Sequence, residues 1–485
     1  MRQKFILSLI PITGVAILLL LLGTLRTWSA QAAPNTRYVA LQNACSGRSP
    51  CYADVQAAVD DSNPGDEILV AEGIYSGVQT AMVNGSVYSQ ALFIDKNITI
   101  QGGFTTTTWV QPDPTTHPTI LDAQDKGRGV YIAGSISVTL EGLGITNGRA
   151  YYDFPNNTIE GGGVYAASAN VTISNCQVMS STGSSGAGIS NAGVLTLTNS
   201  MIADNYGSSM DGMHVGGGIH NQGSLYLYLS TIMSNTAAIA GGIHNVGEMK
   251  ITASTLRSNR GEGTGKSTAG GILNSDLGSL DLVDSTVMEN SSFLGGGILN
   301  RGTMTITNAT VSGNWSPSGS VAGIANVHGE LVITNATIVS NTGSAPGIGG
   351  GIHSADIYSL GVQPVLSITN SIVSHNNGSN CGGVITSLGH NLEDSSSCRF
   401  IAVGDLSNTS PMLDALGYYG GPTLVYGLLP SSPAVDAGDD AACPATDQRG
   451  VSRDQGMRCD IGAFELESDI EIFSLYSPIM LNQSH

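Results

Sequence analysis

The sequence predicts an all-β solenoid, a stack of coils built from strands of three to five residues, and three observations carry that reading. The first is a repeat. A unit of glycines and an aliphatic residue returns at Val164, Ile189, Ile219, Ile243, Ile272, Ile298, Ile324 and Ile352, steps of 24 to 30 residues, with an asparagine two places later in the six copies from Ile189 to Ile324. The second is composition. Gly accounts for 64 of 485 residues and charged residues for 11%, against roughly 25% charged in ordinary domains. Ser, Thr, Asn and turn backbone must therefore carry solubility. The third is period-two alternation inside each unit, as in Leu225/Leu227, Met249/Ile251 and Leu280/Leu282.

Taken in order, residues 1–32 read as a signal peptide. Arg2 and Lys4 open it, Phe5 to Leu22 form its apolar core, and Ala30-Gln31-Ala32 supplies a small-residue cleavage site. An uncleaved membrane anchor is the rival reading of the same stretch. Residues 33–160 form an N-terminal cap and irregular coils, in which Tyr52 to Ser62 reads as a short amphipathic helix with Val55, Ala58 and Val59 on one face. A helix there covers the open end of the first coil, which would otherwise leave strand edges bare.

Residues 161–399 hold the regular repeats. Glycines turn the chain and the following Ile points inward. Asn191, Asn221, Asn245, Asn274, Asn300 and Asn326 then occupy one turn, and Asn205, Asn235, Asn259, Asn290, Asn314 and Asn341 a second. Stacked about 4.8 Å apart, such amides satisfy turn backbone that no strand partner reaches. Residues 400–465 depart from the repeat, and 466–485 form a tail.

The cysteines pair by proximity in sequence as Cys45/Cys51, Cys381/Cys398 and Cys443/Cys459, three expected disulfides outside the regular repeats of an exported protein. Cys176 sits in the slot that Ser200, Ser230, Ser254 and Ser285 fill later, which predicts a small buried thiol. The net charge of −19 disfavours nucleic acid and anionic membranes as partners.

Two resemblances add to this. Val55-Gln56-Ala57-Ala58-Val59, Asn63-Pro64-Gly65-Asp66 and Ile68-Leu69-Val70-Ala71-Glu72-Gly73-Ile74-Tyr75 resemble the opening of secreted pectin-lyase-like proteins. That resemblance implies a right-handed parallel β-helix solenoid with a short N-terminal capping helix. The glycine and asparagine units also resemble those of bacterial polymorphic outer membrane proteins, in the coils only. Ser432-Pro433-Ala434-Val435-Asp436-Ala437-Gly438, Asp447-Gln448-Arg449-Gly450 and Cys459-Asp460-Ile461-Gly462-Ala463-Phe464-Glu465 resemble the choice-of-anchor Q domain, a terminal module of bacterial surface β-helices. It predicts that Asp436, Asp447, Arg449, Arg453, Asp460 and Glu465 form a structural lock closing the last coil.

Pectin-lyase-like folds include lyases, hydrolases and esterases, so chemistry must be argued from sites. Asp439-Asp440 reads as an acidic loop beside a disulfide rather than a hydrolase pair. A lyase needs several carboxylates to hold Ca²⁺, and an Arg or Lys as base. The candidates are Lys250, Asp281, Arg257, Glu289 and Asp284 on the middle coils, with carboxylates mostly from one coil. His220, His244 and His353 share one slot and read as stacked surface histidines. Tyr226 and Tyr228, facing outward beside Lys250 and Asp281, make an apolar platform suited to sugar rings. The insertions Tyr206–Val215 and Arg260–Ala269 leave at one corner and are expected to border a binding face.

The expectation is therefore an exported, monomeric scaffold, secreted or at the cell surface, that engages extracellular polysaccharide or a surface protein without catalysis. It needs no cofactor. The alternative is an extracellular polysaccharide lyase or glycoside hydrolase, with Ca²⁺ as cofactor in the lyase case.

Overall fold

A computed structural model describes residues 35–150, 160–208, 214–265, 268–317, 321–343, 348–359 and 361–467. The signal-peptide reading, and the tail beyond Glu467, lie outside them. From Asn35 onward the chain forms one compact unit. It is a parallel β-helix. Each regular coil contributes one strand to each of three long sheets, exemplified by Ser224–Tyr228 (sheet A), Thr231–Met233 (sheet B) and Ile243–Asn245 (sheet C). Among the described residues sheet A has 14 strands and sheets B and C have 12 each. Equivalent residues pair in register, Leu225 with Met249 and Ile219 with Ile243.

The predicted columns fill the interior: Leu225, Ile232, Ile243 and their counterparts are fully buried. Each large aliphatic chain contributes roughly 1.5–3 kcal/mol by burial. Both asparagine ladders form. Asn221 Nδ2 donates to Asn245 Oδ1 at 2.7 Å and to the Gly223 carbonyl at 3.1 Å. Asn235 Nδ2 donates to Asn259 Oδ1 at 3.0 Å and to the Ile202 carbonyl at 2.9 Å. Fully satisfied polar rows of this kind specify the stacking register rather than weaken the core. Serines form a third row, in which Cys176 N donates to Ser200 Oγ and Ser200 N to Ser230 Oγ. Cys176 is buried and free, and burial pushes its thiol up to about 12.

The capping helix α1 spans Val55–Asp61 rather than starting at Tyr52. Cys51–Tyr52 pairs instead as a strand with Tyr38–Val39, and Asp54 caps the helix through Ala57 N at 2.9 Å. Gln56 on its buried face exchanges hydrogen bonds with both backbone groups of Phe93. The helix thus supplies partners to the end of the stack.

The three disulfides form as expected, with Cα separations of 6.0 Å for Cys45–Cys51, 4.7 Å for Cys381–Cys398 and 6.6 Å for Cys443–Cys459. They fit a chain that folds in an oxidising compartment. Cys381–Cys398 belongs to the last coil. There buried Glu393 accepts from Cys398 N at 3.0 Å and from Ser395 Oγ at 3.1 Å. That segment closes the stack, and the predicted lock lies elsewhere.

Candidate functional site

From Pro411 the chain folds back along the body and covers the outer face of sheet B. Thr286 Oγ1 donates to the Leu424 carbonyl at 2.6 Å, and Thr310 Oγ1 to Gln448 Oε1 at 2.7 Å. Ser312 Oγ meets the Tyr426 hydroxyl at 2.9 Å, and Ala463 N donates to Thr337 Oγ1 at 3.0 Å. Asn308, Asn335 and Asn370 at the A–B corners donate to the carbonyls of Thr446, Asp460 and Asp439. The module is a lateral strap over several coils. The expectation that the charged cluster closes the last coil is corrected accordingly.

Within the strap, Arg453 pairs with Glu465 at 3.2 Å and donates to Asn308 Oδ1 at 3.0 Å. Arg449 pairs with Asp447 at 2.8 Å and lies over the Phe464 ring at 3.8 Å. Asp436 accepts from Met457 N, and Asp460 from Leu466 N. Burial pushes Asp460 to about 6 and Glu465 to about 8. Every carboxylate of the six is occupied inside the strap. Asp439 and Asp440 likewise accept from the backbone of Ala441 and Cys459.

Toward the N-terminus the same face is open. Its floor is made of the outward residues of successive sheet B strands: Ile120, Gly144, Gln177, Met201, Thr231 and Thr255 in one column, and Thr146, Met179, Ala203, Met233 and Arg257 in the next. Five steps of about 4.8 Å give a groove about 24 Å long. The loop from Thr105 to Pro118 walls one end. Asp113 Oδ1 holds its turn through the backbone of Thr115 and Thr116, and His117 pairs with Glu72 at 2.9 Å.

Two contiguous cavities lie along this groove. One of about 200 Å³ is a notch lined by Pro118, Ile120, Gly144, Gln177 and Met179, among others. The next, of about 560 Å³, is lined by Pro114, Asn199, Met201, Leu229, Met233 and Arg257, among others. Arg257 is the one charged residue among its lining residues. Its register neighbours are Met233 and Met288, and its guanidinium touches Met233 Sδ at 3.7 Å.

The corner between sheets A and B requires one residue at positive φ. Asn175, Asn199, Asn308, Asn335 and Asn370 fill it, as the left-handed region prefers. Beside the groove, Leu229 takes the same conformation at φ 50° and remains 39% exposed. An apolar side chain held there against both its backbone preference and its solvation points to a role at the rim.

The residues singled out from sequence fall on separate faces. Tyr226 and Tyr228 project from sheet A, 37% and 49% exposed, with Lys250 in register beside Tyr226 and Asp281 beside Lys250. Asp281 accepts from Thr305 Oγ1 at 2.7 Å. Arg257 lies in the sheet B groove. Glu289 is exposed beyond it and accepts from Ser258 Oγ at 3.4 Å. Asp284 lies under the strap, donated to by Asn308 and raised to about 6 by burial. The candidate lyase residues are thereby distributed over four environments, and among the described residues no group of three His, Cys, Asp or Glu stands close enough to hold a metal.

The insertions expected to border a binding face do leave at one corner, between sheets B and C and away from the tyrosines, where Tyr206–Gly207 and Arg260–Gly261 belong to one small sheet. Residues 209–213 and 266–267 of them lie outside the described residues. The surface reading of the histidines is also corrected. His220 and His244 stack at 4.9 Å between centroids, with their Nδ1 atoms 3.0 Å apart. Burial holds them down to about 4 and about 3. Gln222 and Ser275 complete their hydrogen bonds at 2.8 Å each.

Sequence reasoning missed the groove itself. The available signal was a break in the outward positions of sheet B, where Met179, Met201, Met233 and Arg257 precede a run of Thr and Ser. No family model matches the chain, and no curated protein matches it. Among solved structures, pectate lyase Pel9A matches with a TM-score of 0.42 and 15% identity, over 89% of this chain and 96% of that one. The PL6 family alginate lyase AlyGC matches with a TM-score of 0.34 and 16% identity, over 82% of this chain and 57% of that one. At that identity the likeness concerns the coiled fold alone.

Proposed function

We propose that the chain is an exported, non-catalytic polysaccharide-binding β-helix and that the open groove on sheet B holds the glycan lengthwise. The observation that carries this is the groove's construction: a straight trough in which Met201, Met233, Leu229 and two prolines alternate with threonines and the amides Asn175, Gln177 and Asn199, supplied with one cation. Sugar rings present apolar faces and a rim of hydroxyls. Thioethers and proline suit the faces, while amides and a guanidinium suit the hydroxyls. A groove parallel to the coil axis also offers equivalent positions at each step, which matches a polymer better than a single small molecule.

The lyase alternative asks for carboxylates around a cation opposite the base. The register neighbours of Arg257 are thioethers, which are poor partners for Ca²⁺. A second binding reading rests on the exposed Tyr226 and Tyr228, a platform round the corner from the groove rim at Leu229. The resemblance of the strap to choice-of-anchor Q modules supports placement at the cell surface, where a surface protein is the other candidate partner.

Affinity electrophoresis and calorimetry against neutral and acidic polysaccharides, each with and without added Ca²⁺, test the proposal. Binding without unsaturated or hydrolysed products supports it. Release of unsaturated products would replace it with the lyase reading.

A further inference from the structure

The corner between sheets B and C carries a second departure from the repeat. One residue of each coil pairs into a single column there, running Thr182, Tyr206, Thr236, Arg260, Ser291, Trp315 and Thr342. Four of these seven are Thr or Ser, the short side chains that an exposed turn tolerates. The residues after the other three, Gly207, Gly261 and Ser316, are small and point to the buried side. Tyr206, Arg260 and Trp315 therefore add nothing to the core. The tyrosine is 48% exposed and the tryptophan 51%, and Arg260 is exposed as well. They fall on every second coil, so their backbone positions are about 10 Å apart along the column. Arg260 and Trp315 share a cavity of about 500 Å³ with Glu262, Ser291, Phe293 and Pro317, among others. Across it Arg260 pairs with Glu262 at 3.5 Å.

We propose that this corner is a second carbohydrate site, taking a neutral hexose chain along the column with its rings against Trp315 and Phe293. A half-exposed indole, where sister coils place Thr or Ser, costs solvation and returns no packing, so it is kept for a partner. Indole and phenyl rings offer flat apolar faces to the C–H face of a sugar. Arg260, Glu262 and Ser291 set a planar donor, an acceptor and a hydroxyl beside those rings, the complement of ring hydroxyls. The small residues Thr236 and Ser291 leave a saddle on the coils between the large ones, and a two-coil step is close to the length of one disaccharide in an extended chain. Charge decides the class of chain. Glu262 offsets Arg260, and a protein of net charge −19 repels a uronate polymer. The corner uses none of the groove's residues and does not depend on the groove being occupied. With both filled, one polymer gains two rows of attachment, which linked binding strengthens.

The test uses the full-length chain with Trp28→Phe and reads acrylamide quenching of tryptophan fluorescence. Of its two remaining indoles Trp109 is buried against Phe104, so Trp315 is the one open to the quencher. Cellohexaose, mannohexaose and maltohexaose are the neutral probes, and hexagalacturonate the acidic one. At least one neutral probe is expected to slow quenching threefold or more, and hexagalacturonate to leave it unchanged. Arg260→Ala is expected to raise the half-protecting concentration at least fivefold, and Arg257→Ala, in the groove, to change it less than twofold. No protection by any neutral probe, stronger protection by hexagalacturonate, an unaltered midpoint in Arg260→Ala, or protection lost in Arg257→Ala would each overturn the site. Calorimetry with the protecting probe separates the two readings. Trp315→Ala is expected to remove one binding step and Arg257→Ala another. Protection of Trp315 with no step removed by Arg257→Ala would leave the corner site standing and remove the groove; a step removed by Arg257→Ala with Trp315 unprotected would do the reverse.

Discussion

The outer face of sheet B is one surface treated in two ways. From Thr286 to Ser374 its outward side chains are Thr, Ser, Val, Ile and one Met, all buried beneath the strap. From Gln177 to Arg257 the outward positions are three Met, two Thr, Gln, Arg and Ala, and all but Ala203 remain partly or fully exposed. The backbone is the same in both halves, and so are the inward Val178, Ile232, Val287 and Ile338, fully buried throughout. What differs is the partner each half has been given. Hydroxyls are short and directional, which suits a fixed protein neighbour. Methionine is flexible and polarizable, which suits an occupant that comes and goes. The solenoid core sets the scaffold, and the residues that break its repeat set its use.

The largest effect that would break this comparison lies in the covered half. Arg453→Ala removes one partner of a buried ion pair and strands Glu465 and Asn308. It is expected to cost about 3–5 kcal/mol, read by denaturant unfolding and by new proteolytic nicks between residues 410 and 467. Gln448→Ala follows. Its amide joins Thr286, Thr310 and Thr423; removing it leaves the buried Thr310 hydroxyl unpaired and takes one bond each from Thr286 and Thr423, which should cost about 1–3 kcal/mol. If either variant unfolds like wild type, the strap is not held as described.

The histidine pair tests a third face by pH. His220 and His244 are depressed to about 4 and about 3 against about 6.5 in the unfolded chain. The unfolded state therefore binds more protons across that window. Their contribution is fully present above about pH 6.5 and is lost as pH falls toward 4. Wild type should lose more stability between pH 7 and 4.5 than His220→Gln with His244→Gln. Parallel pH curves would contradict the buried neutral pair.

The smallest effect belongs to the open half. Met201→Ala and Met233→Ala lie on partly exposed positions and should each change stability by no more than about 1 kcal/mol, measured in the same unfolding assay. A loss as large as that of Gln448→Ala would show that these methionines belong to the core.

Much of the fold was legible because the coil imposes the same demand at every turn. Ile219, Asn221 and Asn235 each have sisters at regular spacing, and inward filling and amide stacking follow from the spacing itself. The helix start at Val55 was misjudged because Tyr52 looks equally at home in a helix or a strand, and only its pairing with Val39 decides. The groove was illegible for a different reason. Met179, Met201 and Met233 are unremarkable one at a time, and the wall from Thr105 to Pro118 comes from outside the repeats. Arg257 was visible as a cation near the third strand, but not its thioether neighbours. Nothing in the sequence spacing showed that the strap runs backward, since that depends on pairings between residues more than a hundred positions apart, such as Thr310 with Gln448. Tyr226 and Tyr228 were read as outward and do project outward. The direction of a side chain follows from strand period, whereas the walls that make a site do not.

The most direct measurement compares the groove with the platform. Gly144→Phe fills the notch, where an added Cβ would meet no heavy atom nearer than Ile120 Cγ1 at 3.4 Å, and Arg257→Ala removes the cation. Both are to be compared with Tyr226→Ala plus Tyr228→Ala for binding to the polysaccharide selected by the wild-type chain. The account predicts at least a tenfold loss of affinity for each groove variant and no more than a twofold change for the tyrosine pair. Unchanged binding in both groove variants, with binding abolished in the tyrosine pair, would contradict it.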